Sequence, residues 1–575
     1  MEFNIEYSKN KSENLKTLDK HNIVYDEKVQ NYLPLYNLYF KLNETNFNNI
    51  NLNTNWTIES FEKRLGHNLF TCKLKNSTKE HYENKKVFIK YSPLLDPTKY
   101  ITGKYDLSDD LFNLPKLNNN DCHEKIANPY NSAYVDSFFS YLSSKLLKNH
   151  EFYNGIEYYG SFLCNQKDYK VNIFDDVEYL IDSPFFHKNK DKVFKIDDSF
   201  YEELDDEESR GNKKKIIIDK NSISLKVNDF DDTIYDEVFK KQDETSNLTV
   251  FNLKELEEAE FKNDIELEKI QTIKDDSETS SSCSSRTSNT GSKDDESLSS
   301  LDTEDISDLD SSDFSCEEEE EEEIFAYIDN FPINMICLEN CSNTLDHYMV
   351  NNDVENKEWA GIFAQLIFTL LVYQKCFHFT HNDLHTNNVM YVETDKHHII
   401  YHYDNNYYKI PTFGKIWKII DFGRAIYKFR GKTIGSDSFA SNGDAATQYN
   451  CEPFYDSNKP RLEPNYSFDL CRFGCSLYDF FIEENEDEKK NKYNMIEKLI
   501  MEWCTDDNNK NILYKKNGEE RYPDFKLYKM IARNVHNHTP QNQLKNKFFS
   551  TFIVSRKKLN KNSKILYIDK LPCYV

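Results

Sequence analysis

The feature that most constrains the fold is a set of polar residues in two short stretches of the chain. Residues 381–388 read His-Asn-Asp-Leu-His-Thr-Asn-Asn, and residues 421–423 read Asp-Phe-Gly directly after the strand-like run 418–420. The two stretches supply carboxylate and amide oxygens, the ligands that Mg²⁺ shares with phosphates. The fold therefore needs a buried strand that delivers Asp421 to the place where the first stretch ends.

These stretches resemble the catalytic loop and the metal-binding tripeptide of the protein kinase superfamily, His-x-Asp-x-x-x-x-Asn followed by Asp-Phe-Gly. The resemblance implies that Asp383 accepts the proton of an attacking hydroxyl and that Asn388 and Asp421 hold Mg²⁺ beside ATP. It also implies that His381 bonds nearby backbone and that Phe422 packs against a helix of the small lobe.

Two positions of the first stretch depart from the family pattern. Asn382 replaces an arginine that often pairs with a phosphate on the activation segment, which disfavours activation by phosphorylation of that segment. His385 replaces the lysine of Ser/Thr protein kinases, and Asp-Leu-His at this point is also similar to aminoglycoside-type small-molecule kinases and haspin-like protein kinases. The resemblance therefore predicts the fold but leaves the class of substrate open.

Three short apolar stretches, 60–65, 68–74 and 86–91, predict antiparallel strands separated by polar turns. The third contains Val-Phe-Ile-Lys ending at Lys90, which resembles the strand lysine that contacts the α- and β-phosphates of ATP. The alternative is a strand-end lysine that reaches water. In the first turn only Gly66 stands where kinases carry a glycine-rich phosphate loop, so the expected phosphate cover is poorer.

Two further segments complete the expected nucleotide site. The spacing of apolar residues predicts a helix over 134–147, on which a kinase needs an acid to hold Lys90. Asp136 is the one candidate there, and the alternative for it is a solvated helix face. Residues 333–339 form an apolar strand that resembles the last small-lobe strand, so backbone groups from Glu339 to Cys341 are expected to bond adenine.

The rest of the chain is similar to the large lobe of a kinase. Asp469 opens an Asp-x-x-x-x-Gly run that is expected to bond the backbone of the catalytic loop. The other predicted segments are strands at 156–163, 169–174, 389–392 and 417–420, helices at 359–376, 494–503 and 525–535, and an activation segment at 424–464.

The net charge of −27 is concentrated in one part of the chain. Residues 275–323 contain 19 acidic and 2 basic residues, and such a segment cannot bury enough apolar surface to fold. Disorder is therefore predicted over 240–323, within an acidic insertion at 182–323 that a basic partner could bind. Clustered Lys and Arg are needed for phosphate contacts, so binding to nucleic acid is disfavoured.

Cysteine content and hydropathy bear on the compartment. The 13 cysteines are scattered and odd in number, and no leader of basic then apolar residues opens the chain, which favours a reducing environment. The apolar run 361–379 is interrupted by polar residues and predicts a buried helix rather than a membrane span. An intracellular, cytoplasmic location follows, in a host cell or virion if the protein is viral.

The sequence thus predicts an α+β, bilobal protein-kinase-like fold with a small antiparallel-β lobe and a larger, mainly helical lobe. The expected parts are an N-terminal polar arm (1–50), the small lobe (51–181), the acidic insertion (182–323), the end of the small lobe with the hinge (324–341) and the large lobe (342–575). This chain is similar to divergent Ser/Thr kinase-like proteins of large DNA viruses.

That resemblance implies an ATP- and Mg²⁺-dependent phosphotransferase that acts on protein hydroxyls. Two alternatives stay open. One is a nucleotide-binding pseudokinase whose acidic insertion recruits a basic partner, and the other is a small-molecule kinase. ATP and a protein substrate are the expected ligands, with neither nucleic acid nor membrane as a partner.

Overall fold

The computed structural model describes residues 6–9, 23, 29–48, 50–76, 79–117, 121–181, 183–196, 324–482 and 493–575. The prediction of disorder over 240–323 lies outside these described residues. Within them the protein is a mixed α+β fold whose sheets are mainly antiparallel.

The elements before the acidic segment follow one another in the order β1 (Tyr7–Lys9), β2 (Ile50–Leu52), β3 (Trp56–Arg64), β4 (Leu69–Asn76), β5 (Tyr82–Pro93), α1 (Pro97–Ile101), α2 (Glu124–Ala127), α3 (Ser132–His150), β6 (Tyr158–Gln166), β7 (Tyr169–Asn172), α4 (Val177–Ile181), α5 (Pro184–Asn189) and β8 (Lys195–Ile196). The predicted strands at 60–65, 68–74 and 86–91 are confirmed as β3, β4 and β5, each longer than expected.

The elements after that segment are β9 (Phe325–Ile328), β10 (Phe331–Glu339), β11 (Asn343–Thr344), α6 (Leu345–Val350), α7 (Asn356–Phe377), β12 (Val389–Glu393), β13 (His398–Tyr403), β14 (Asn406–Pro411), β15 (Lys415–Ile419), β16 (Ile426–Phe429), β17 (Lys432–Gly435), α8 (Phe468–Phe481), α9 (Met495–Trp503), α10 (Lys526–Asn534), α11 (Pro540–Gln543), α12 (Lys547–Ser550), β18 (Ile553–Val554) and β19 (Leu566–Tyr567). The hairpin of β13 and β14 was not predicted.

The first large sheet has the strand order β3-β4-β5-β10-β6, with antiparallel neighbours throughout. Its centre is β5 beside β10, where Lys90 lies opposite Ile336. Val87 and Ile89 are fully buried, and the sheet is therefore held by the apolar residues that alternate with Lys86, Phe88 and Lys90. This alternation sets the side of the sheet toward which Lys90 points.

Helix α3 packs beside this sheet and is longer than the predicted 134–147. Asn131 caps its first turn by accepting a hydrogen bond from the amide of Ala133, and Glu151 ends it in the left-handed conformation with φ of 54°. Because the helix begins at Ser132, Asp136 lies in its second turn and points inward with 3% exposure. Phe139, one turn further on, stacks on Phe379 with ring centroids 4.3 Å apart.

The expected loosely ordered arm at 1–50 is wrong for residues 29–48, which are packed on the fold. Tyr32, Leu33, Leu35 and Tyr36 are buried around a short 3₁₀ turn that Pro34 initiates. The backbone of residue 30 exchanges two hydrogen bonds with residue 163 in β6, which extends the large sheet. The many asparagines in this part of the chain concealed one compact apolar cluster.

The described residues also extend into the predicted insertion. Residues 183–196 contain α5 and β8, and β8 pairs with β9, which in turn pairs with β7. Ile196 lies opposite Ala326 in this small sheet. The two ends of the segment 197–323 are therefore adjacent strands.

The second half is built on α7, the long apolar helix that was predicted over 359–376. It is the one helix of the described residues that is long and apolar enough to cross a membrane, and 89% of its apolar window is buried inside the protein. Trp359 contacts the aromatic ring of Phe481 in α8, and Phe363 contacts Trp503 in α9. Strands β12 and β15 pair with each other beside this helix. Residues 381–388 directly precede β12, and residues 421–423 follow β15.

Candidate functional site

The ammonium group of Lys90 joins the sheet, helix α3 and the segment after β15. Its Nζ lies 2.7 Å from Oδ2 of Asp136 and 2.7 Å from Oδ1 of Asp421. The side chain of Asp136 is only 4% exposed and that of Lys90 13%, so this ion pair is largely shielded from water. Asp136 is the partner of Lys90, a question that the sequence left open.

The charges of this cluster are stabilised by one another. Burial would lower the pKa of Lys90, but Asp136 and Asp421 outweigh it and raise that pKa above its ordinary value. Burial would raise the pKa of Asp421, but Lys90 outweighs it and lowers that pKa to about 2. Burial raises the pKa of Asp136, and the attraction of Lys90 opposes this. At neutral pH the lysine is therefore charged and Asp421 is ionised.

The backbone after β15 is held in an uncommon conformation. Asp421 has φ of 60°, in the left-handed region that non-glycine residues rarely adopt and that tends to occur at functional sites. The amide of Phe422 donates to Oδ1 of Asp136 at 3.0 Å, and the Phe422 ring lies 4.7 Å from that of Phe139. The predicted packing of Phe422 against α3 is confirmed, and the same helix acid binds both Lys90 and this backbone.

A buried carboxylate holds the backbone at the start of the loop 381–388. Asp469, at the start of α8, accepts hydrogen bonds from the amides of His381 and Asn382, both at 2.9 Å. Asn382 is left-handed with φ of 65°, and its side chain donates to the carbonyl of Arg424 at 3.0 Å. The Nε2 atom of His381 lies 2.9 Å from the carbonyl oxygen of Ile420. The architectural roles predicted for Asp469 and His381 are confirmed.

Asn388 is oriented by two contacts of its amide nitrogen. Nδ2 donates to the carbonyl of Asp383 at 2.9 Å and lies 3.0 Å from Nε2 of His385. Burial lowers the pKa of His385 to about 4, so the imidazole is neutral and can accept this hydrogen bond at Nε2. The amide oxygen Oδ1 is then the atom of Asn388 that can bind a cation. The amide of Ile420 also donates to the Asn388 carbonyl at 3.0 Å, which keeps this loop beside Asp421.

The donor chemistry of this place fits Mg²⁺. Asp421 contributes an ionised carboxylate and Asn388 an amide oxygen, both of them hard ligands of the type that magnesium takes together with substrate phosphates. Asp421 follows the end of β15, and Asn388 lies in the loop before β12. The hydrogen bond from the amide of residue 420 to the carbonyl of residue 388 holds these two segments together.

Asp383 is surrounded by three residues that sequence reasoning missed. Tyr528 in α10 donates its hydroxyl to Oδ1 of Asp383 at 2.7 Å, and Arg472 in α8 donates Nε to the same tyrosine oxygen at 2.9 Å. Nε of Arg424 lies 4.0 Å from Oδ2 of Asp383. Burial would raise the pKa of Asp383, but the positive charges of Arg424 and Arg472 and the hydrogen bond from Tyr528 outweigh it and lower the pKa. The carboxylate is therefore ionised and held by one oxygen.

The segment proposed as a hinge is tied to the strand that delivers Asp421. The carboxylate of Glu339 accepts from Nζ of the buried Lys418 at 2.6 Å, and Lys418 also donates to the carbonyl of Gly155 at 2.7 Å. The amide of Glu339 donates to the carbonyl of Glu157 at 2.9 Å. That amide is engaged within the protein, so adenine recognition would fall to other backbone groups between Glu339 and Cys341.

The turn that contains Gly66 is tight and internally bonded. The amides of Leu65 and Gly66 both donate to the carbonyl of Leu69, at 2.8 and 3.2 Å. Nε of Arg64 donates to the carbonyl of Gly66 at 3.1 Å. The Gly66 amide is thus engaged in the β3–β4 turn.

A further contact joins the segment after β17 to the beginning of α3. Oδ1 of Asp437 accepts the amide of Ser132 at 3.0 Å, and its Oδ2 accepts from Nζ of Lys125 at 2.5 Å. Asp437 is only 6% exposed, and an acid at this place complements the partial positive charge of the helix N-terminus. The position of residues 424–464 is therefore linked to the helix that carries Asp136.

Comparison with known proteins gives limited support for a relationship. No family model matches the chain. A stretch of 100 residues, 17% of this chain, is 27% identical to "Probable kinase 098L" of Invertebrate iridescent virus 3 and covers 19% of the length of that protein. The similarity points loosely to a kinase-like relationship with a viral protein, over a small part of both chains.

Proposed function

We propose that the protein is an ATP- and Mg²⁺-dependent phosphotransferase with a bilobal, protein-kinase-like arrangement, and that it transfers the γ-phosphoryl group to a Ser or Thr hydroxyl of a protein. In this proposal the sheet of β3, β4, β5, β10 and β6 with α3 is the small lobe, and the part from α6 onward is the large lobe. ATP lies between Lys90 and the loop 381–388.

The observation that carries the proposal is the pair of 2.7 Å contacts from Lys90 to Asp136 and Asp421. A bland strand-end lysine would reach water, whereas this one is buried between two acids from separate parts of the chain. The cost of desolvating three charges favours a use for them. Phosphate recognition is such a use, because a charged lysine and an ionised, oxygen-donating aspartate suit a nucleotide with its cation.

The chain's own residues have separate tasks in the transfer. Lys90 binds phosphate oxygens of ATP, and Asp136 holds the lysine in place. The acceptor oxygen forms a bond to the γ-phosphorus while the bond to the bridging oxygen of ADP breaks, and the proton of the acceptor hydroxyl passes to Asp383. Oδ1 of Asp383 accepts from Tyr528, so Oδ2 is the oxygen that takes the proton in this proposal.

Asn388 and Asp421 would hold Mg²⁺, which neutralises phosphate charge when it is bound. His385 is neutral and orients the amide of Asn388, while Arg424 adds positive charge beside Asp383. Positioning and charge neutralisation are the main demands of this reaction, and the bonds of Asp469 to the loop backbone serve the first of them.

A pseudokinase is the second candidate, and the β3–β4 turn favours it. The Gly66 amide is engaged with the Leu69 carbonyl, so this turn offers fewer backbone N–H groups to phosphates than a glycine-rich loop would. In that case the protein binds Mg-ATP without transferring phosphate, and its acidic segment recruits a basic partner. The small-molecule kinase stays a third candidate on the Asp-Leu-His of residues 383–385.

The deciding experiment compares wild type with Asp383→Asn in a radiolabelled phosphate-transfer assay with Mg-ATP, on generic protein acceptors and on small hydroxylated acceptors. The variant keeps an oxygen that accepts from Tyr528 and loses the proton acceptor, so we expect a rate loss of about 10²–10⁴-fold. Asp395→Asn makes the same change at an exposed position and serves as the control.

Each outcome assigns one candidate. Equal rates in wild type and Asp383→Asn contradict the proposed role of that residue. Thermal stabilisation of the wild type by Mg-ATP without any transfer identifies the pseudokinase, and transfer confined to small acceptors identifies the small-molecule kinase.

A further inference from the structure

A cavity of about 470 Å³ lies at the C-terminal end of α3, and none of the residues that line it belongs to the candidate site. Three parts of the chain form its walls: residues 150–153 after α3, residues 396–409 around the β13–β14 hairpin, and residues 558–566 before β19. Its volume lies within the range of about 300–1,000 Å³ that is usual for ligand pockets.

The walls of this cavity are basic in a protein that is strongly acidic. Lys396, Lys409, Lys558 and Lys564 line it, and the one acid among the lining residues is Glu151. Lys564 lies 2.5 Å from Oε1 of Glu151, so that acid is already neutralised. The other three lysines give the cavity an excess of positive charge although the whole chain carries −27. An anion is the ligand that such a field attracts.

The surroundings of the cavity strengthen this field. Residues 545–570 contain eight Lys or Arg and a single acid, Asp569. His398, in the cavity wall, has a pKa below its ordinary value because of burial and then because of the positive charge of Lys409. The basic character therefore belongs to a whole region of the surface, with the cavity inside it.

A large part of the lining is apolar. Ile399, Tyr401 and Leu559 are buried residues of the lining, and the partly exposed Ile565 and Leu566 add apolar surface to it. An inorganic anion would leave this surface without a partner, whereas a peptide with acidic and apolar side chains would cover it and place carboxylates beside the lysines.

We propose that this cavity, defined by residues 150–153, 396–409 and 558–566, is a docking site for an acidic segment of a partner polypeptide that carries an apolar or aromatic side chain among its carboxylates. Lys396, Lys409 and Lys558 bind the carboxylates, and the partly exposed Ile565 and Leu566 contact the apolar side chain. The proposal is independent of the phosphotransferase activity.

The test measures binding of a fluorescein-labelled peptide, with glutamates on both sides of a phenylalanine, to the full-length protein by fluorescence polarisation. We expect saturable binding that salt weakens. A peptide with glutamine in place of every glutamate should not bind. Lys409→Glu combined with Lys558→Glu should weaken binding at least about tenfold, because two attractive charges become repulsive ones.

Lys557→Glu combined with Lys561→Glu is the matched control, since it changes the net charge equally in the same segment but outside the cavity. We expect less than about a twofold effect from it. An equal loss in both double variants would show attraction to the basic surface at large and would overturn the proposal, as would a wild type that does not bind the peptide.

A second measurement needs no variant. Acetylation of lysines in the wild-type protein, read by mass spectrometry, should slow at Lys396 and Lys558 when the peptide is present and stay unchanged at Lys561. Protection of Lys561 together with the others, or protection of none, rejects the cavity as the site.

Discussion

Replacement of Tyr528 by phenylalanine tests the part of the site that the sequence did not predict. The change removes the hydroxyl that donates to Oδ1 of Asp383 at 2.7 Å. The same hydroxyl oxygen accepts a hydrogen bond from Arg472, and that bond is also lost. A hydrogen bond to a charged group contributes about 1.5–3 kcal/mol. If that energy holds Asp383 in its reactive orientation, the turnover number should fall about 10–100-fold.

The effect should be confined to the transfer step. Tyr528 has its contacts at Asp383 and Arg472, whereas ATP is proposed to lie against Lys90. Transfer rates at saturating ATP should therefore fall while the dissociation constant of ATP, measured by fluorescence titration, stays within about twofold. Steady-state kinetics at several ATP concentrations separates the two.

Tyr514→Phe is the matched control, because the Tyr514 hydroxyl donates to Oδ1 of the exposed Asp479 at 2.8 Å, away from Asp383. It should leave both constants unchanged. A Tyr528→Phe variant that transfers phosphate at the wild-type rate, or one that loses ATP affinity and keeps its turnover number, would refute the positioning role.

Three further perturbations have expected outcomes. Lys90→Met leaves the buried carboxylate of Asp136 and the partly exposed one of Asp421 without their cation, so the free energy of unfolding in urea should fall by about 3 kcal/mol, and Mg-ATP should no longer raise the melting temperature. Asp437→Asn keeps an oxygen that can cap α3 but loses the charge beside the partly exposed Lys125, so it should lower the free energy of unfolding by about 1 kcal/mol. Asp437→Ala loses both and should lower it by about 2 kcal/mol. Equal melting temperatures for the two variants would contradict the capping role. Burial lowers the pKa of Lys145 to about 8, so the charge of this lysine opposes folding at neutral pH by at most about 3 kcal/mol, and the penalty disappears as the pH rises from about 8 to 10.5. Lys145→Met should therefore stabilise the protein more at neutral than at alkaline pH, after allowance for the lost hydrogen bond to the Asn53 carbonyl. A difference in urea unfolding between variant and wild type that does not change with pH would contradict this.

The sequence predicted those parts of the fold whose signal is local. Apolar runs marked β5, β10 and α7, and a run that ends in Asp-Phe-Gly marked β15. Strand β5 carries Lys90, β15 ends two residues before Asp421, and the structure brings these two residues together. Local periodicity was sufficient there because buried strands must be apolar along most of their length.

Contacts across long stretches of chain were beyond sequence reasoning. Tyr528 is 145 residues from Asp383, and nothing in the composition of α10 marks its hydroxyl as a partner of that carboxylate. The sequence predicts the helix of Asp136 but leaves a solvated face open for that acid, because its partners, Lys90 and the amide of Phe422, are 46 and 286 residues away. The apolar cluster of residues 32–36 was hidden by polar neighbours, since burial there comes from the sheet edge and α3.

The pairing of β8 with β9 has a consequence for how this protein can change over generations. Ile196 lies opposite Ala326 on these neighbouring strands, so the two points that the segment 197–323 connects are held together by the pairing of β8 with β9. The closure entropy of such a connection grows only logarithmically with its length. The length of this connection can therefore change over generations at a small cost in closure entropy while the two strands that it joins stay paired.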